Sequence, residues 1–259
     1  MGAVIAMTGK GGTGKSTLSA ALIHGLVRAG DGPVLAIDAD HNSSLGLLLG
    51  LDVEDTISDI RDQTREAAQT VSEIPKERLL DQWLNEIVVE ATGYDLITMG
   101  RPEGPGCYCY VNTLLRRYLG LLKKSYPFVV IDNAAGMEHL SRLTSDDVQV
   151  LLLVSEPTYI GLMTARRISE LADSLPVKIG KRALVINKVP PEGLAGKAAE
   201  AAESLQVDIR IQIPVNEALA GLSVSGEGIT PELADAVAEP VAELVEVCRE
   251  MTGRATTRA

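Results

Sequence analysis

At 259 residues the chain is long enough to form one large α/β domain. Apolar residues supply 46% of it but aromatics only 3%, so its core must be made of Leu, Val, Ile and Ala, as in a buried parallel sheet rather than an aromatic-rich sandwich. The 24 basic residues against 35 acidic ones leave a formal charge of -11, which disfavours nucleic acid and anionic membrane lipid as partners.

Short aliphatic runs alternate with longer helical patterns along the chain. Strands are predicted near 2–8, 33–38, 95–99, 127–132, 148–154, 182–187 and 208–213. Helices are predicted near 15–29, 43–50, 56–91, 110–124, 137–144, 158–174, 191–205, 216–225 and 231–252, the third of these interrupted, with Pro75 as a helix start. Such alternation implies a mostly parallel sheet flanked by helices on both faces, in a single domain over 1–252 with a frayed tail at 253–259. Right-handed crossovers then bring the loops after the strands to one edge of the sheet, where ligands bind. No stretch reaches the ~18 apolar residues of a membrane helix. The three cysteines, Cys107, Cys109 and Cys248, are too few for a disulfide framework, and with no apolar leader they imply a reducing cytoplasm.

The first strand runs into Gly9-Lys10-Gly11-Gly12-Thr13-Gly14-Lys15-Ser16-Thr17, a G-x-x-x-x-G-K-[ST] loop followed by a helix. Phosphates need several backbone N–H groups pointing inward, hence residues that tolerate unusual dihedrals and carry no obstructing side chain. Lys15 is expected on the β- and γ-phosphates, Ser16 on Mg2+, and the helix dipole behind them. The fold class is therefore a P-loop NTPase domain, with ATP/ADP and Mg2+ as cofactors. In Ile37-Asp38-Ala39-Asp40, at a strand end, the two carboxylates face the same way on extended backbone, toward the phosphates. Phe128-Val129-Val130-Ile131-Asp132 is a Walker-B-like strand whose Asp132 faces Mg2+ through water.

The extra Lys10 makes the loop resemble the deviant Walker A motif of the MinD/ParA/nitrogenase-iron-protein superfamily. The resemblance implies an ATPase that closes as a face-to-face homodimer, with Lys10 reaching the partner's nucleotide as a trans-acting cation. It also implies that Asp40 orients the attacking water and that Asp38 supports the Mg2+ shell. Gly136 takes the switch II position on the γ-phosphate, Asn187 of Val185-Ile186-Asn187-Lys188 reads adenine, and Pro214, Asn216 and Glu217 form a second base-contact loop. His41 departs from the proline often found there.

Cys107-Tyr108-Cys109 offers two thiolates from a loop rich in glycine and proline (Gly100 to Cys109), and a tetrahedral thiolate site needs four. A dimer axis through the loop would supply two from each chain. Gly104-Pro105-Gly106-Cys107-Tyr108-Cys109, with Asn112, Leu114 and Leu115, and Ala135-Gly136-Met137-Glu138-His139-Leu140 resemble the CooC-type ATPases that mature nickel carbon monoxide dehydrogenase. That resemblance runs from Val4 to about Ile229. It implies Ni2+ at Cys107 and Cys109 across the dimer, ATP-coupled insertion of nickel, and carbon monoxide dehydrogenase or the related acetyl-CoA synthase as client. Zn2+ suits the same ligands. The competing expectations are a MinD/ParA-like positioning ATPase and an iron–sulfur-cluster-carrying ATPase. The former is disfavoured by the acidic Glu232, Asp235, Glu239, Glu243 and Glu246 near the carboxy terminus, the latter by the lack of cysteine in Asn133-Ala134-Ala135. Cys248 and His24 are expected to be structural, and His139 to relay the nucleotide state or pack.

Overall fold

The computed structural model describes residues 2–40, 42–59, 86–100, 120, 125–135 and 148–254. Among them eight strands form one sheet: β1 (Ala3–Gly9), β2 (Val34–Ala39), β3 (Val89–Ala91), β4 (Tyr94–Thr98), β5 (Phe128–Asn133), β6 (Val148–Ser155), β7 (Ile179–Val189) and β8 (Ile209–Pro214). Their spatial order is β3-β4-β2-β5-β1-β6-β7-β8, and every pairing is parallel except β3 with β4.

Strand composition explains the layers. In β1, Ala3, Ile5 and Met7 point to one face and Val4 and Ala6 to the other, and all are buried. A strand apolar on both sides needs helices on both sides. The first face carries α1 (Lys15–Arg28), α2 (Ser44–Leu48), α5 (Glu217–Ser225), α6 (Pro231–Ala238) and α7 (Ala242–Met251) through residues such as Leu22, Leu45, Leu222, Val237 and Leu244. The second carries α3 (Tyr159–Asp173) and α4 (Gly196–Ser204) through Leu162, Ile168 and Ala202. Each fully buried Leu or Ile contributes about 1.5–3 kcal/mol, so aliphatic side chains sustain the core where aromatics are scarce. Among the described residues no helix is long and apolar enough to cross a membrane.

Two predicted elements differ. The interrupted helix expected over 56–91 gives way at its end to a strand: 57–59 is helical, 60–85 lie outside the described residues, and β3 pairs back on β4 through Thr92 and Gly93. Gly93 at φ 87° supplies the left-handed residue of that turn. The 231–252 helix is divided into α6, a short 3-10 turn at Glu239–Val241, and α7. Pro240 is the cause, having no N–H to give the preceding turn. The expected helices at 110–124 and 137–144 and the Gly100–Cys109 loop, apart from single residues, lie outside the described residues, as does 253–259 beyond Arg254.

Candidate nucleotide site

β1 lies where the chain changes direction across the sheet, with β5 on one side and β6 on the other. The carboxyl ends of these strands open onto a cleft of about 1320 Å³ lined by Gly11, Gly12, Gly14 to Leu18, Asp40, Ser44, Asn187, Lys188, Pro214 and Asn216, among others. The loop after β1 fills its floor. At Gly9 a Cβ would come within 2.2 Å of the Val154 carbonyl oxygen, so only glycine lets β1 and β6 meet there. Gly14 sits at φ 91° and opens α1, whose first turn has neither a side-chain cap nor an acidic residue. Its N–H groups are left for an anion.

The loop is fastened from several sides. Thr13 Oγ1 donates to the Lys10 carbonyl at 2.9 Å, and the buried Lys15 donates its Nζ to the same oxygen at 3.3 Å. Asn187 Nδ2 donates to the Thr13 carbonyl at 2.9 Å, and Lys188 Nζ to the Gly12 carbonyl at 2.8 Å. Ser16 Oγ accepts from Ser44 Oγ at 3.2 Å, and the hydroxyls of Thr17 and Ser223 lie 2.9 Å apart, tying α1 to α5. Lys10 and Gly12 are exposed.

The acidic residues divide into two buried and one at the cleft surface. Strand register sets Asp38 beside Asp132. Burial, and then the Asp132 charge, push Asp38 up to about 7, although it accepts from the N–H groups of Asp40 at 3.0 Å and Leu45 at 2.8 Å. Asp38 thus staples both ends of the loop from 40 to 45. Asp132 is pushed up to about 6, chiefly by burial, against the hydroxyls of Ser16 and Ser19 and the Lys15 charge. Ser19 donates to Asp132 Oδ1 at 3.2 Å, while Oδ2 is buried with no hydrogen-bond partner among the described residues. Asp40 is half-buried, and its Oδ1 accepts from the Asn42 backbone N–H at 3.0 Å and side-chain amide at 3.1 Å.

At the other end, Asn216 Oδ1 accepts from Leu219 N–H at 3.0 Å and caps α5, while Val215 N–H donates to the Val189 carbonyl at 3.0 Å. Pro214 and Asn216 line the cleft, and Glu217 is exposed on the first turn of α5.

Residues 4–229 match the family described as the CobQ/CobB/MinD/ParA nucleotide binding domain. The chain belongs to that family. It is 40% identical over 227 residues to an uncharacterised ATP-binding protein of Methanocaldococcus jannaschii, covering 86% of this chain and 88% of that one. It is 35% identical over 186 residues to the carbon monoxide dehydrogenase accessory protein CooC of Rhodospirillum rubrum, covering 67% and 70%. Its fold is similar to that of the septum site-determining protein MinD of Pyrococcus horikoshii OT3 complexed with Mg-ADP, at TM-score 0.63 and 19% identity over 97% of this chain and 99% of that one. Family and relatives make the chain a nucleotide-binding ATPase.

Within this nucleotide-binding domain the residues present fit Mg2+. A buried Asp132 oxygen without a donor, the Ser16 hydroxyl and two crowded carboxylates form a hard, oxygen-rich, negatively charged pocket below the P-loop. Sequence reasoning missed Ser19, Ser44 and Lys188, because single hydroxyls and a lysine carry no signal until the fold apposes them. Asn187, expected to read a base, has its amide and its carbonyl oxygen engaged by Thr13 and by Lys188 N–H. Cys248 is buried in α7 and its thiol is pushed up to about 12, as a structural cysteine. His24 stacks edge-on to Tyr94. Cys107, Cys109, Gly136, His139 and His41 lie outside the described residues, and among those described no three His, Cys, Asp or Glu side chains gather as a metal site.

Proposed function

We propose that the chain is an ATP-dependent metallochaperone that inserts nickel into carbon monoxide dehydrogenase or the related acetyl-CoA synthase. The observation that carries this reading is the CooC relative at 35% identity, together with the C-x-C pair Cys107 and Cys109. The family's nucleotide-binding domain supplies the drive.

In this mechanism the backbone N–H groups from Gly9 to Thr17 and the Lys15 ammonium hold the β- and γ-phosphates, in a site where burial strengthens each contact. Ser16, Asp132 and Asp38 would hold Mg2+, which would supply the positive charge that offsets the phosphate oxygens. Asp40, through the carboxylate oxygen that Asn42 does not use, orients water toward the γ-phosphorus. The bond from that water forms as the bond to the ADP oxygen breaks. Gly136 contacts the γ-phosphate, and Lys10, already exposed, reaches the nucleotide of a second subunit. Asn187 retains one amide hydrogen for an acceptor on adenine, and the turn at Pro214, Asn216 and Glu217 closes over the base. ATP binding pairs two chains and brings four thiolates around one Ni2+ (or Zn2+) as cargo, and hydrolysis releases it to the client.

Anaerobic Ni2+ titration with and without a slowly hydrolysed ATP analogue tests the reading. One Ni2+ per dimer, tighter with nucleotide and lost in Cys107→Ser plus Cys109→Ser, is expected. Unchanged binding in that double variant defeats the metal assignment, and a brown protein with stoichiometric iron makes the cargo an iron–sulfur cluster.

A positioning ATPase is the second reading, favoured by the MinD-like fold over 97% of the chain. Against its membrane-bound form, α7 turns Leu244, Val245, Val247, Cys248 and Met251 into the core, so its apolar face is already covered. ATP-dependent sedimentation with anionic vesicles would favour this reading over nickel insertion.

A further inference from the structure

Asn187 and Lys188 lie just before the last residue of β7, and in a regular strand two successive side chains leave on opposite faces of the sheet. Here they converge. The pairing of β7 with β8 slips between Ile186 and Val189, and Lys188 stands at φ 60°, a left-handed conformation that lysine rarely adopts. Through that irregularity Asn187 reaches the Thr13 carbonyl and Lys188 the adjacent Gly12 carbonyl, at 2.9 and 2.8 Å. Lys188 N–H donates to Asn187 Oδ1 at 2.9 Å and closes the bend. Backbone strain of this kind persists only where the surroundings over-determine it, and such places cluster at functional sites.

We infer that Asn187 and Lys188 form a two-point clamp that presets the P-loop for a diphosphate, with Lys188 a positioning residue that does not touch the nucleotide. The inference rests on the nucleotide-binding reading of the cleft and deepens it. In a trans peptide the C=O and N–H point in opposite directions. Holding the Gly12 carbonyl from outside therefore aims Thr13 N–H inward, and holding the Thr13 carbonyl does the same for Gly14 N–H. Those are the donors a phosphate chain needs. A loop carrying Gly11, Gly12 and Gly14 has many other shapes available, and without the clamp the ligand itself would have to bear the ordering cost. The Lys188 ammonium is engaged on the protein side, bonded to the Gly12 carbonyl and 3.4 Å from Glu156 Oε1. Since the clamp shapes the loop and not the γ-phosphate contact, ADP and ATP depend on it equally.

Lys188→Met keeps the stem and removes the donor. Calorimetric titration of the full chain with ADP and with a slowly hydrolysed ATP analogue is expected to show about 10-fold weaker binding of each, the loss of one charge-assisted hydrogen bond. The kcat at saturating ATP should stay within about twofold, and Lys188→Arg, which keeps a donor, should recover most of the affinity. A Lys188→Met protein that melts earlier but binds both nucleotides as wild type does refutes the clamp. A loss larger for ATP than for ADP by a factor of ten refutes the positioning role, because Lys188 then meets the γ-phosphate. Asn187→Asp, which sets a carboxylate against the Thr13 carbonyl, is the second variant should Lys188→Met not fold, and wild-type ADP affinity in it likewise overturns the clamp. Lys15→Ala separates the two readings: if it binds ADP as wild type does, the phosphate site itself is wrong, whatever the clamp does.

Discussion

The phosphate-loop end and the β8 end of the cleft are built on opposite plans. At the phosphate end Thr13, Lys15, Asp38 and Asp132 are buried, each held by strands and helices of the core, and Gly14 is boxed in by Asn187. At the β8 end the turn is open, with Val215 at 62% exposure, and is held by the Asn216 cap and one backbone hydrogen bond to Val189. Triphosphate is the same in every nucleotide and its chemistry tolerates little displacement, so a rigid, strained seat is useful there. The looser turn after β8 suits the role we propose for it, since a planar base needs only a surface and a few polar contacts.

That contrast breaks most visibly at Gly14. A Cβ there meets Asn187 Nδ2 at 2.5 Å, on backbone at φ 91°. Gly14→Ala is expected to cost about 1–3 kcal/mol of stability. It should weaken ADP binding about 10-fold or more, measured by urea unfolding and calorimetry. Val215→Ala, on exposed backbone at the other end, should change both by little, and equal losses at the two positions would erase the distinction.

Buried charge sharpens it next. Asp38 is held near 7 in the folded chain against 3.8 as its ordinary value, and Asp132 near 6. Between about pH 4 and 7 the folded state therefore binds more protons than the unfolded one, and stability of the nucleotide- and magnesium-free chain falls as pH rises through that window. Denaturant unfolding from pH 5 to 8 should show a decline on the order of 2 kcal/mol. Asp38→Asn should flatten the slope, whichever way the lost acceptor for Asp40 or Leu45 N–H moves the absolute value. An identical slope in the variant would place the buried charge elsewhere.

The smallest effect belongs to the turn after β8. Asn216→Ala removes the α5 cap and should cost about 1 kcal/mol, with ATP affinity falling less than about threefold. A loss matching that of Gly14→Ala would mean that the turn after β8 is as exacting as the P-loop.

Much of this molecule is legible without coordinates, because the relevant information is local. The aliphatic runs of β1, β2, β5 and β6 announce buried parallel strands, and the spacing from Gly9 to Ser16 announces a phosphate loop. Asp38 and Asp132 stand out as acids ending such runs. Less legible were β3, three residues long and dependent on Gly93 for its turn, and the break at Pro240 inside an otherwise unbroken helical pattern. Ser19 and Ser44 gain meaning only from the partners that packing gives them.

Sequence alone determined the type of most described elements, the layering and the phosphate motif, since hydrophobic period, glycine placement and proline chemistry act over a few residues of neighbouring chain. Tertiary structure alone decided that Asp38 and Asp132 share one desolvated pocket and that a bulge in β7 turns Asn187 and Lys188 onto Gly12 and Thr13. Those relations join residues distant in the chain. Strand order and register, which no local pattern encodes, set the dielectric and the hydrogen bonds each of them meets.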